Sequence, residues 1–216
     1  MSRTITVKGI GTASARVDYV LLYMELRAKD MKYDKAMDKA AFQLSQLNDC
    51  LAAIGFEKKA VKTTSFDIET DYDSYKDEQG NYQRVFRGFV CEHKLKLAFD
   101  FEIEKLSQAL SSVAKCLANP ELSIEFTVKD PANINETLLR EATINAKKKA
   151  ELLCDASEVK LGQLLSIDYN WGELNVYSKT RYNHSTKFSM ENSLSIDIEP
   201  EDIKVRDTAT FVWEIV

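Results

Sequence analysis

Gly9-x-Gly11, inside VKGIGTASARVDY (Val7 to Tyr19), is the first spacing in the chain that could do chemistry. Two glycines one residue apart after a strand open loops whose amides hold a pyrophosphate at a helix N-terminus. The third glycine of that fingerprint is replaced by Ser14, and the following RVDYVLLYMELRA is β-branched and aromatic rather than helical. The pair is therefore read as bending a β-hairpin, through a bulge or a bend at a strand end.

The other chemically capable residues are equally sparse. Nucleophilic catalysis needs a base beside the nucleophile, usually histidine, and the chain has two, His93 and His184. His93 shares an apolar strand face with Cys91, Leu95 and Leu97; His184 sits in the polar RYNHSTKF. Neither has a cysteine at metal-ligand spacing. Asp71-x-Asp73 begins like a calcium loop, but Tyr75, Lys76 and Tyr82 stand where an oxygen ligand, glycine and glutamate are needed. The pairs Asp197/Glu199 and Glu102/Glu104 are of the right type for acid–base work, yet in an acidic chain they read as solvated faces. Cys50, Cys91, Cys116 and Cys154 form no C-x-x-C and read as reduced, buried small hydrophobes. The expectation is no catalytic residue, no cofactor and no metal. The alternative is a small-molecule-binding protein or hydrolase with a pocket near His93. A possible protein-contact surface is the aromatic and basic set Tyr169, Trp171, Tyr177, Arg181, Tyr182 and Phe188.

Positioning such residues requires a framework, and composition bounds it. Apolar residues make up 44 % and charged residues 29 %, as in ordinary globular chains, while 7 glycines and 3 prolines favour long regular elements. A net charge of −5 weighs against a nucleic-acid face. MSRTITVKGIG enters strand residues directly, without an apolar leader, and YVLLYMEL is too short to span a bilayer. These features predict a cytoplasmic protein with no membrane insertion.

Thr4 to Gly11 and Val17 to Arg27 alternate as strands. Lys32 to Gly55 has a helical stripe (Met37, Ala40, Leu44, Leu47, Leu51, Ile54), with Asp30 as its expected N-cap and Gly55 as its stop. Val61 to Tyr72 and Tyr82 to Phe99 are two further strands. Asp100 is the expected N-cap of a second helix with Leu106, Leu110, Val113 and Leu117 facing in. Leu122 to Val128 is a short strand, and Asp130-Pro131 starts a third helix with Leu139, Ala142, Ala146, Ala150 and Leu153 inward. Leu161 to Trp171 is a strand, Gly172 to Ser193 reads as irregular, and a strand from Ile203 closes the chain. The order β-β-α-β-β-α-β-α-β-β predicts an α+β fold with a largely antiparallel sheet and three main helices. It is read as one domain over residues 1–216, with a possible two-lobe division between about 99 and 130.

The pattern resembles the SIMPL-domain family of YggE-like proteins almost from end to end. The resemblance rests on ITVKGIGTASARVDY, the helix ending in LAAIGF, VKTTSFDIETDYD, RGFVCEHKLKLAFDFEIEKLSQAL, AKKKAELLCDASEVKLGQLLSID and IEPEDIKVRDTATFVWEIV. The residues that match its structural pattern are Gly9, Gly11, Asp18, Gly55, Leu161, Gly162 and Pro200, although Glu201 follows Pro200 where the family has glycine. The resemblance implies no catalytic residue. It implies a non-enzymatic protein that forms homo-oligomers or binds another protein, with a link to stress tolerance. The interface expected from the residues lies at strand edges, in the first hairpin and the 172–198 segment.

Overall fold

The computed structural model describes residues 3–76, 80–169, 174–184 and 198–216. In chain order the elements are β1 (Thr4–Ala15), β2 (Tyr19–Asp30), α1 (Tyr33–Ala52), β3 (Lys62–Lys76), β4 (Tyr82–Asp100), α2 (Ile103–Ala114), β5 (Glu121–Thr127), α3 (Ala132–Ala156), β6 (Leu161–Asp168), β7 (Tyr177–His184) and β8 (Ile203–Ile215), with one 3-10 turn at Lys58–Ala60. The fold is α+β and the expected element order holds. One further strand, β7, lies in the segment read as irregular. It lacks the usual alternation because a buried position is polar: the Ser178 hydroxyl donates to the Glu201 carbonyl at 2.7 Å.

The strands form two sheets, ordered β1-β8-β6 and β3-β4-β2-β5-β7. The first two strands do not make the expected hairpin. β1 pairs antiparallel with β8 from Thr4↔Glu214 to Ala15↔Ile203, whereas β2 pairs with β4 from Tyr19↔Asp100 to Asp30↔Phe89. Nor do Gly9 and Gly11 bulge or bend the chain, for the β1–β8 register runs unbroken through both. They are glycines because α3 presses on the strand. A β-carbon at Gly9 would lie 2.1 Å from the Ala142 carbonyl oxygen, and one at Gly11 would lie 2.0 Å from that of Leu138.

Two helix starts shift for physical reasons. Asp30 ends β2, so the helix begins at Tyr33 and Asp30 instead accepts from the Lys32 amide at 3.0 Å and from Lys39 at 2.7 Å. Asp100 stays in β4 because the next amide, Phe101, donates to the Asp18 carbonyl at 2.8 Å and prolongs the pairing. The Asp130 carboxylate accepts from the Ala132 amide at 2.9 Å, as its place before the helix leads one to expect. Two leucines expected inside are outside. Leu117 lies beyond the end of α2 and is 86 % exposed, and the buried stripe of α3 runs Ile134, Leu138, Ala142, Ala146, Ala150, Cys154, leaving Leu153 exposed.

By packing, the chain divides into two units. The first holds residues 1–17, 127–179 and 200–216; the second holds 18–126 and 180–199. In the first unit α3 lies on β1 and β8, and its alanines meet Val7, Ala209, Phe211 and Trp213. A second cluster joins Ile134, Leu138, Val176 and Ile203. In the second unit α1 packs on β2 and β4 and against α2. Leu22, Met24, Leu26, Leu95 and Leu97 of its sheet are fully buried, as are Leu47, Leu51 and Leu106 of the helices. At about 25 cal/mol per Å² of apolar surface, side chains of this size each contribute about 1.5–3 kcal/mol on burial.

Candidate functional site

Among the described residues, those able to do chemistry are not gathered in one place. His93, in β4, is 7 % exposed; its Nε2 lies 2.8 Å from the Thr63 hydroxyl, and its ring meets Phe66 edge to face at 4.9 Å. Burial lowers its pKa and favours the neutral imidazole. Two grooves on the second unit's sheet are lined by other residues, one of about 500 Å³ by Tyr23, Glu25, Thr64, Lys94, Glu121 and Glu125. Asp71 and Asp73 lie in β3, ion-paired with Lys29 and, at 2.6 Å, with Arg87. The Arg87 hydrogen bond and charge hold the Asp73 carboxyl below its usual range. Among the described residues no three His, Cys, Asp or Glu side chains stand close enough to hold a metal ion. Of the carboxylate pairs, Glu102 precedes α2 and Glu104 lies in its first turn, while Asp197 is outside the described residues.

The cysteines are all free. Cys91, Cys116 and Cys154 are buried and Cys50 is half-buried. Cys50, near the end of α1, meets Cys116, just after α2. Burial, then the hydrogen bond to Cys116, push the Cys50 thiol up to about 11. Sequence spacing gives no sign of this pairing, which depends on how α1 and α2 pack.

Four of the six residues of the expected aromatic surface, Tyr169, Tyr177, Arg181 and Tyr182, are among the described residues. Tyr169 is half-buried against the Val7–Phe211–Trp213 cluster, and its hydroxyl donates to Asp207 at 2.8 Å. That hydrogen bond, with burial, raises the phenol pKa. Tyr177 and Arg181 of β7 are exposed and Tyr182 is half-buried. Trp171 and Phe188 lie outside the described residues, as does the side chain of His184. Among the residues matching the family pattern, Gly9 and Gly11 accommodate α3, Asp18 accepts from Phe101, and Gly55 turns the chain after α1 at φ +94°. Leu161 pairs with Ile215, a β-carbon at Gly162 would stand 3.0 Å from the Glu214 carbonyl, and Pro200 opens the last segment of the first unit.

Two sheet features complete the map. On the second unit's sheet, charges oppose one another across strands. Arg27 pairs with Glu92, Lys29 with Asp71, and the Lys96 ammonium lies 5.9 Å from the centre of the Tyr23 ring. Its edge strand β3 carries Lys62, Asp67, Glu69, Asp71, Asp73 and Lys76, charges of the kind that guard a strand edge. The first unit's edge strand β6 is different. Gln163 to Asp168 are exposed without interruption, including Leu164 (46 %), Leu165 (51 %) and Ile167 (55 %). Its register on β8 shifts on either side of Leu164, so strict alternation is lost and neighbouring leucines both reach the surface. The adjacent Leu164-Leu165 is the sequence signal for this edge, since in a sheet with one covered face one of two neighbours must point out.

Compared with known families, the chain matches the SIMPL model, described as "Protein of unknown function (DUF541)", over residues 5–213. Among curated proteins, none matches the chain.

Proposed function

The chain belongs to the SIMPL family, and we propose that this member acts by binding rather than catalysis, associating with further copies of itself through the β6 edge. The observation that carries this reading is the uninterrupted exposure of Leu164, Leu165 and Ile167 on an edge strand. Aliphatic side chains on an open edge favour the addition of another strand, which satisfies backbone groups and removes apolar surface from water together. A second copy suits this edge. Antiparallel self-pairing centred on Leu165 sets that leucine opposite its own copy on one face and keeps the two Asp168 carboxylates apart. The charge-bearing β3 edge offers no such match.

The test is absolute mass by light scattering after gel filtration at two protein concentrations, with Leu165→Lys and Ile167→Lys beside the parent chain. The parent is expected at a multiple of its chain mass and each variant at a smaller mass, with far-ultraviolet circular dichroism unchanged. A monomeric parent, or variants that keep the parent mass, would overturn the reading.

A further inference from the structure

The three-stranded sheet of the first unit ends in β1 on one side and β6 on the other, and the two edges are finished differently. Along β1 the backbone groups alternate between facing β8 and facing outward. The Arg3 carbonyl accepts from the Ile215 amide at 3.0 Å, so with an unbroken register the outward groups are those of Thr4, Thr6, Lys8, Ile10, Thr12 and Ser14. Two of these groups, in the middle of the strand, are taken by α3. The Ile10 amide donates to the Asn145 carboxamide oxygen at 3.1 Å, and the Lys149 ammonium donates to the Lys8 carbonyl at 3.1 Å. Asn145 and Lys149 stand one helical turn apart. Gly9, between the two bonded groups, lets the helix come near enough for both side chains to reach the strand. A strand added here, parallel or antiparallel, would need both of the groups that α3 occupies.

We propose that Asn145 and Lys149 guard the β1 edge against strand addition and so restrict self-association to a twofold-symmetric pair of copies joined β6 to β6, an inference that rests on the reading of β6 as the associating edge. A β6 strand docking on the β1 of another copy would be a head-to-tail contact, which leaves one edge of each kind open and adds copies without end. A β6 strand docking on its own counterpart consumes both open edges and stops. Centred on Leu165, that antiparallel pairing joins the two copies' three-stranded sheets into one. The outer strands of the second unit's sheet carry guards of another kind, charged side chains: Asp67, Glu69, Asp71 and Asp73 on β3, and Lys179 and Arg181 on β7. Among the described edge strands, β6 is the one left with exposed leucines and a single charge, Asp168, at its end.

Amide hydrogen exchange of the full chain, read by mass spectrometry on peptides from β1 and β6, tests this beside absolute mass by light scattering. The parent is expected at two chain masses. Leu165→Lys is expected at one, with faster exchange in β6 and unchanged exchange in β1. The double variant Asn145→Ala/Lys149→Met, its circular dichroism unchanged, is expected above two chain masses and to grow with concentration. A parent above two chain masses, or a β1 strand that loses protection together with β6 in Leu165→Lys, would overturn the proposal while leaving the β6 edge standing. A folded double variant that stays at two chain masses would overturn it as well. A monomeric parent, or a β6 strand whose exchange Leu165→Lys leaves unchanged, would overturn the β6 reading and the guard with it. If the double variant does not fold, the parent mass and the Leu165→Lys comparison decide.

Discussion

Gly9 of β1 passes so close beneath the Ala142 carbonyl of α3 that a β-carbon on it would lie 2.1 Å from that oxygen, and 2.9 Å from the Ala146 methyl carbon. The obstacle is helix backbone, which cannot turn aside as a side chain would. Helix and strand meet here at a distance set by the absence of one carbon.

Gly9→Ala and Gly11→Ala should therefore each destabilise the protein by about 3 kcal/mol, at the upper end of overpacking costs. Urea unfolding followed by circular dichroism checks this. Gly80, whose β-carbon would meet nothing within 4 Å, is a control for space, although its φ of +84° adds backbone strain of its own.

The buried His93 should make stability depend on acidity. Its folded pKa lies below the ordinary 6.5, so the unfolded chain binds the proton more readily. The contribution is fully present above pH 6.5 and is lost as pH falls through the folded value. Melting temperature should fall as pH drops below 6.5, and His93→Phe should flatten that part of the profile. An equal slope in parent and variant would assign the acid sensitivity to other groups.

Cys50 gives the opposite dependence at the alkaline end. Its thiol titrates at about 11 in the fold against an ordinary 9.0. The unfolded chain thus loses its proton first, and stability declines from about pH 9 to 11. Cys50→Ala should remove this part of the alkaline decline, seen as a shallower change in urea midpoint over those pH values.

The two ends of the α2 region should respond unequally to substitution. Leu110→Ala, inside, should cost about 2–5 kcal/mol. Leu117→Gln, at a residue 86 % exposed, should change stability by no more than about 0.5 kcal/mol. Chemical denaturation of both variants measures the contrast.

Tyr169 should behave as a strap over the core. Tyr169→Phe removes the hydrogen bond to Asp207 and should cost about 1 kcal/mol, with mass in solution unchanged. A change of mass without loss of stability would place Tyr169 in an interface instead.

The helices and their order were legible because each has an apolar stripe of helical period, and β8 because its large side chains alternate cleanly. Partner choice was not. Only three residues separate β1 from β2, and nothing local tells a hairpin from a passage between sheets; the partner of β1 lies at the far end of the chain. Asp100 carries a capping side chain, but continued strand pairing at Phe101 outcompetes the cap. Leu153 fell one residue off a stripe that steps by four to Cys154. The β6 edge escaped the sequence reading for a related reason: aromatics drew attention to 169–188, while Leu164, Leu165 and Ile167 are exposed on β6 and Tyr169 is held to Asp207. The meeting of Cys50 and Cys116 is tertiary and has no sequence signature.

The order β1-β8-β6 has a consequence for how the protein comes into being. β8 is the middle strand, so among the described strands β1 and β6 each find their sheet partner in it. As a ribosome delivers the chain, β1 emerges well before β8. Residues 18–126 form an unbroken stretch of the second unit and can assemble meanwhile, but the first unit's sheet has no partial version to rest in. Until β8 emerges the glycine-bearing strand waits without a sheet partner, and closing that long loop late is a slow, entropically costly step. A nascent chain stalled before Ile203 would expose β1 and β6 together, which makes β8 the strand that ends its time as a substrate for chaperones.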